Sequence, residues 1–385
     1  MSASNLNVVD ILRNLVAFKS ITPADDGCLD YIAKILTDRS FTIIKKEIKG
    51  ATCLYARLGS KGKNLCLSGH IDVVPPGSLS FWDSDPFLMI EKNGFLIGRG
   101  VCDMKGGISA FMSAIDLALT ANPNLCDKNS LSILFTSDEE KAGVTSCEKF
   151  LKELHSDGEK IDHCLIGEPT SYNKFGDSVK VGRRGSCTVE VKVTGLGGHV
   201  AYPRLCNNPL RVLIDCLSAI QKYRWDSGTE DFEESNLEVV GISSSDNISN
   251  LISGYAVAQL NLRFNVLHTL ESVQATISEF FYKKIKHPFV CELDFKGGNK
   301  PFVSSGTFLL ANVRDAIKKV TSLDSDQSTA GGCSDGSYIS VYCKDMVEFG
   351  VINSTAHKAN ESVKKEDIHD LVKIYFNVIN SVLGQ

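Results

Sequence analysis

Hydrophobic positions along the chain alternate between two periods. Residues 6–19 and 29–38 repeat apolar side chains at helical spacing, whereas FTIIKKEI (41–48), CLYARLG (53–59) and NLCLSGH (64–70) predict strands. From Ile108 the apolar residues Phe111, Met112, Ile115 and Leu119 recur every three or four positions, so 106–121 is expected as a helix whose start follows the glycine pair 106 and 107. LSILFTS (131–137) and HCLIG (163–167) are short unbroken apolar runs of the buried-strand kind, and each stops directly before acidic residues. Alternating helices and strands predict an α/β sheet.

The middle of the chain changes character. SCTVEVKVT (186–194) alternates like a half-buried strand and is followed by an amphipathic helix over 208–223. Strands near 237–242 and 256–264, a helix near 270–285 and a strand near 289–295 complete a strand-helix-strand-strand-helix-strand series, the ferredoxin-like order. An inserted βαββαβ domain is therefore expected at 182–294. Residues 1–181 and 295–385 would form one discontinuous α/β domain around it.

Composition narrows the class. A length of 385 residues exceeds what one hydrophobic core usually supports, and a hydrophobic fraction of 43% can fill two. A net charge of -5 and the lack of any Lys/Arg block argue against a nucleic-acid or anionic-membrane surface. The N-terminus lacks a charged segment leading into an apolar one, and no run reaches the roughly 18 apolar residues of a membrane span. Thirteen cysteines without a C-x-x-C pair fit free thiols in a reducing cytoplasm better than a disulfide framework.

Candidate chemistry collects at the ends of the apolar runs. SGHIDVVPPG places His70 and Asp72 after one strand; GRGVCDMKGG carries Asp103; FTSDEE carries Glu139 and Glu140; LIGEPT carries Glu168; NSTAHKANE carries His357. Each alone has an ordinary reading: a hydrogen-bonded strand-end histidine, an aspartate cap before a helix, a solvated glutamate turn. The ordered set of five is what changes the expectation. Strand ends in open α/β sheets converge on one crevice, and two imidazoles with several carboxylates suit zinc or another divalent ion. Carboxylates outnumber imidazoles, so one shared between two ions is plausible chemistry. Cys102 lacks the histidine and asparagine that would activate it as a nucleophile, and no G-x-S-x-G elbow occurs.

These five motifs, in this order and at similar spacing, resemble the metal-site motifs of the M20 metallopeptidase family over nearly the whole chain. GRRGS (182–186), GGHVAYP (197–203), STAGGCSDG (328–336) and EFGVINSTAHKANE (348–361) resemble the desuccinylases within it. The resemblance implies a zinc-hydrolase domain with a central mixed sheet, and an inserted ferredoxin-like domain that acts as lid and pairs two subunits. It implies two zinc ions per subunit, with cobalt able to substitute: His70 and Glu168 on one, Glu140 and His357 on the other, Asp103 bridging. Asp72 would orient His70, and Glu139 would act as general base and acid. His199 would reach into the neighbouring subunit's site to stabilise the oxyanion. Arg183, Ser186, Tyr202, Asn250, Arg263, Gly332 and Asn353 would line the substrate pocket, the two arginines holding carboxylates as bidentate forks.

The implied reaction is hydrolysis of N-succinyl-L,L-2,6-diaminopimelate to succinate and L,L-diaminopimelate, by a cytoplasmic homodimer. The alternatives are N-acetylornithine deacetylation or another N-acyl amino-acid hydrolysis, and a binding protein that has kept the fold. Glu139 speaks against the last, since a binding relic has no use for the base. Three departures from the desuccinylase pattern all touch the substrate side. Ser249 stands where an Asn often precedes Asn250, Ser253 replaces a usual Pro, and Cys333 replaces a Thr.

Overall fold

Strands Asn64–His70 and Ser130–Thr136 are buried at every position, as their unbroken apolar pattern requires of strands covered on both faces. In the computed structural model, which describes residues 6–141, 146–244 and 248–384, they lie side by side and parallel in an eight-stranded mixed sheet. Its order is Thr42–Ile48, Ala51–Leu58, Ser130–Thr136, Asn64–His70, His163–Ile166, Asp345–Glu348, Ser178–Lys180, Asp326–Ser328. Asn64–His70 is parallel to both of its neighbours, so the residues that follow all three strands emerge at one edge.

Helices Val8–Ala17, Cys28–Thr37, Lys105–Ala121, Phe308–Thr321 and Lys365–Leu383 supply side chains to the main core, where the rings of Phe111 and Tyr375 stack at 4.2 Å. The glycine pair at the start of Lys105–Ala121 has a steric reason. A Cβ on Gly107 would stand 2.3 Å from the carbonyl oxygen of Gly167, so a side chain there would push the helix off the turn that carries Glu168.

The alternating segment behaves differently. Gly185–Thr194 buries every second residue and pairs antiparallel with Tyr255–Phe264 and Val290–Asn299, while Asn236–Ser244 pairs with the outer side of Tyr255–Phe264. With helices Pro209–Ile220 and Leu270–Lys284 packed on one face, this is the ferredoxin-like arrangement, with its own core of Val189, Val191, Leu213, Leu260 and Phe281. Asn208 caps the first helix and a Thr269–Ser272 capping box opens the second. Val290–Asn299 runs beyond the expected 289–295, because its last residues pair with Ser186 and Cys187.

The chain enters and leaves this second sheet side by side. Gly182–Arg183 and Phe302–Val303 form a two-stranded antiparallel ribbon between the two sheets. Several short elements had no periodic signal, among them the three-residue strands Ile90–Lys92, Phe95–Ile97 and Ser362–Lys364. All thirteen cysteines are free, most of them buried, as expected of small core residues. Among the described residues no helix is long and apolar enough to cross a membrane.

Candidate metal centre

The parallel strands deliver their terminal residues to one place. His70 ends its strand, Glu139 and Glu140 follow Ser130–Thr136, and Glu168 follows His163–Ile166. Asp103 arrives on the turn before helix Lys105–Ala121, and His357 on the loop before Ser362–Lys364, in the left-handed conformation (φ 61°). All six sequence-predicted groups meet. Two donor sets result, His70 with Asp103 and Glu168, and Asp103 with Glu140 and His357, each with ligand atoms within 4.8 Å of one another.

Asp103 belongs to both sets. Its Oδ1 lies 3.2 Å from His70 Nε2 and its Oδ2 3.4 Å from His357 Nε2. Glu168 stands 3.5 Å from His70 Nε2, and Glu140 2.8 Å from His357 Nε2. Glu139 belongs to neither set, with its carboxylate 4.0 Å from His70 Nε2.

Asp72 touches both His70 and the glutamate pair. His70 Nδ1 donates to the main-chain carbonyl of Asp72 at 3.0 Å, and the Asp72 carboxylate is 3.5 Å away. That carboxylate also accepts the amides of Glu139 at 3.3 Å and Glu140 at 3.1 Å. Its buried charge therefore faces the imidazole and the glutamate pair alike, and the backbone turn adds a second hold on the imidazole.

Electrostatics of the cluster favour a cation. Burial pushes the Glu168 carboxyl up to about 8, helped by the charge of Asp103. Burial also raises Glu139 well above the usual carboxylate range, with Glu168, Asp335 and Glu140 adding to it against the opposing charge of His70. Burial opposes charge on His70, yet hydrogen bonds to Asp103 and Asp72 hold it well above the usual imidazole value. Asp103 and Glu140 raise His357 to about 10. Three carboxylates and two imidazoles form an oxygen and nitrogen donor set that suits divalent ions. Such ions would offset the surplus negative charge and displace these protons.

Two cavities open from the centre. One of about 300 Å³ is lined by Asp103, Glu140, Glu168 and His357 together with Arg183, Gly332, Asn353, Lys180 and Tyr172. The other, about 380 Å³, runs along the polar face of the second sheet past Ser186, Thr188, Asn261 and Arg263. Strand alternation explains this wall, since the side chains opposite the buried Val189 and Leu262 face the centre.

Arg183 requires a correction. Its Nε and Nη2 both donate to Glu348, at 2.7 and 2.5 Å, in a buried pair, so the fork expected for a substrate carboxylate is occupied. Only Nη1 faces Ala330 and Gly331. Arg263 is half-buried, and its Nη1 donates to Cys333 Sγ at 3.2 Å. Lys180 and Tyr172 were missed. Lys180 sits in the strand Ser178–Lys180 behind no recognisable motif, and its Nζ donates to the Tyr172 hydroxyl.

His199, Tyr202 and Asn250 lie elsewhere. They gather on an exposed tip that forms a small sheet of its own, where His199 pairs with Leu251 across a two-stranded ladder, Val200 N donates to Asn250 O, and the His199 and Tyr202 rings are 5.6 Å apart. None of the three lines either cavity. Of the departures noted in the sequence, Cys333 lines both cavities, and the hydroxyl of Ser253 donates to Tyr255 O.

Comparison with known proteins agrees with this geometry. Residues 66–381 match the family described as Peptidase family M20/M25/M40. The chain is 38% identical over 368 residues to a succinyl-diaminopimelate desuccinylase of Magnetococcus marinus, covering 95% of this chain and 96% of that one. It is 37% identical over 383 residues to the desuccinylase of Nitrosomonas europaea, with both chains covered completely. Among solved structures, an M20 family metallo-carboxypeptidase from Sulfolobus solfataricus superposes with a TM-score of 0.84 at 19% identity, covering 98% of this chain and 100% of that chain. A dinuclear metal binding peptidase of the same family from Bacillus subtilis gives 0.69 at 12% identity, over 98% of each chain.

Proposed function

The chain belongs to the M20/M25/M40 peptidase family, and on that footing we propose that it is a dinuclear amidohydrolase that splits N-succinyl-L,L-2,6-diaminopimelate into succinate and L,L-diaminopimelate. The observation that carries the reading is Asp103, with one carboxylate oxygen toward each imidazole. Near-complete relatives named for that desuccinylation supply the substrate.

His70 and Glu168 would hold one ion and Glu140 and His357 the other, with Asp103 available to both. Zinc is the native metal, with cobalt able to replace it. When bound, the pair of ions supplies an activated water and polarises the amide carbonyl. Glu139 does the proton work. Its burial raises its proton affinity, which suits a group that takes a proton from water and returns it to the leaving amine. Arg263, Ser186, Asn353, the Gly332 backbone and the Nη1 of Arg183 hold the substrate's carboxylates. The enzyme works in the cytoplasm as a homodimer joined through the second sheet, and His199, Tyr202 and Asn250 on the tip beside that sheet serve the site of a second copy.

The test is a panel of N-succinyl-diaminopimelate, N-acetylornithine and a dipeptide, assayed with added zinc. N-succinyl-diaminopimelate should lead by roughly three orders of magnitude in kcat/KM, because a substrate lacking a carboxylate leaves a built cationic partner unpaired. Equal rates on the acetyl substrate would favour a less selective N-acyl amino-acid hydrolase.

A further inference from the structure

We propose that Glu361, with Arg99, is a positioning residue that sets the distance between the shared carboxylate Asp103 and the His357 loop; this rests on the dinuclear reading above. Glu361 closes the motif that contains His357, yet it lies outside both donor sets. Its carboxylate is fully buried. A buried carboxylate needs its lone pairs filled, and here four donors fill them. Oε1 accepts the amides of Cys102 at 2.8 Å and Asp103 at 3.0 Å; Oε2 accepts the amide of Gly100 at 2.9 Å and Arg99 Nη1 at 2.7 Å. Three of the four are main-chain amides of the turn that ends in Asp103.

Arg99 extends the clamp. Its Nη1 also donates to Lys358 O at 3.3 Å and its Nη2 to Pro75 O at 3.4 Å, while its guanidinium lies 5.1 Å from the Trp82 ring. The main chain adds one more tie, from Gly98 N to Glu361 O at 2.9 Å. One buried ion pair thus joins the turn after His70, the turn before Asp103 and the loop of His357. A fold-stabilising pair could join any surfaces. This pair joins three ligand-bearing turns, and the placement predicts an effect on metal geometry beyond any effect on folding.

Glu361→Gln is the first variant, because its amide nitrogen must face either two main-chain N–H groups or Gly100 N and Arg99, donor against donor. Zinc is titrated calorimetrically into metal-free protein, and the spectrum and magnetic coupling of the dicobalt form are recorded beside thermal melts. The wild type should take two ions. Glu361→Gln should lose about 10- to 100-fold in affinity for the second ion together with the cobalt–cobalt coupling, and Glu361→Asp should recover part of both. Asp345→Asn, which weakens a buried carboxylate pair with His163 at the far end of its strand, should lower the melting temperature and leave metal affinity unchanged. Arg99→Lys keeps the charge and loses the fork, and should also weaken the second ion; it carries the test if Glu361→Gln does not fold. Wild-type affinity and coupling in Glu361→Gln, or in Arg99→Lys where that variant must stand in, would overturn the proposal. A wild type that takes fewer than two ions would overturn the dinuclear reading with it.

Discussion

Glu139 and Glu140 are adjacent in sequence, accept orientation from the same Asp72 carboxylate through their amides, and point to different tasks. Glu140 reaches His357 and one donor set; Glu139 stands outside both. Glu139→Gln should therefore retain both metals while kcat falls by roughly two to four orders of magnitude, and Glu140→Gln should lower zinc affinity; metal analysis beside kinetics separates them. If Glu139→Gln strips a metal, the two roles are exchanged. The two arginines make a second contrast. Arg183→Ala leaves Glu348 buried and unpaired and should cost about 3–5 kcal/mol of stability in denaturant melts. Arg263→Ala, at a half-buried cavity wall, should leave the melt nearly unchanged and lower kcat/KM. At this scale the sequence was most legible where a polar residue ends an apolar strand, since the strand itself aims the side chain. It was least legible for Arg183, whose partner is 165 residues away and whose pairing only the folded sheet brings about.

Among the elements, long periodic segments were readable and short ones were not. Residues 106–121 announced their helix through spacing alone, and it is found at Lys105–Ala121. Strands of three residues complete no period, so Ile90–Lys92 and its partners carried no signal; they form because Ser362–Lys364 pairs with Phe95–Ile97 across a long chain separation. The segment between Pro209–Ile220 and Asn236–Ser244 was equally silent, yet it is organised around Asp226. That carboxylate accepts Gly228 N, Ser235 N, Asn265 Nδ2 and His268 Nε2. Burial raises it, but hydrogen bonds from Ser235, Gly228 and Asn265 prevail and hold it at about 2. Because its folded value lies below the ordinary carboxylate value of about 4, its stabilisation is present above pH 4 and is lost as pH falls toward 2. Asp226→Ala should cost about 2 kcal/mol at pH 7, and the gap from wild type should narrow between pH 4 and pH 2 in urea melts. A gap that does not change with pH would mean the carboxylate acts by packing alone.

For the whole molecule, the order of strands and helices revealed the ferredoxin-like sheet, but nothing in a single chain's pattern says what covers its exposed surfaces. Val240 and Ile242 lie exposed on the edge strand Asn236–Ser244, and His199, Tyr202 and Asn250 sit on a tip that lines neither cavity. If the tip serves a second copy, mixing His199→Ala with Glu139→Gln under conditions of subunit exchange should restore activity toward roughly a quarter of wild type, since half the dimers are mixed and each has one intact site. A mixture that stays inactive while exchange is demonstrated separately removes the trans role. The ribbon of Gly182–Arg183 against Phe302–Val303 has a consequence for such an assembly. Two strands that cross together and hydrogen-bond to each other cannot stretch or shear independently, so the second sheet is left with little freedom except rotation about the ribbon. Rotation about it would carry the wall of Ser186 and Arg263 along a single arc relative to the two donor sets.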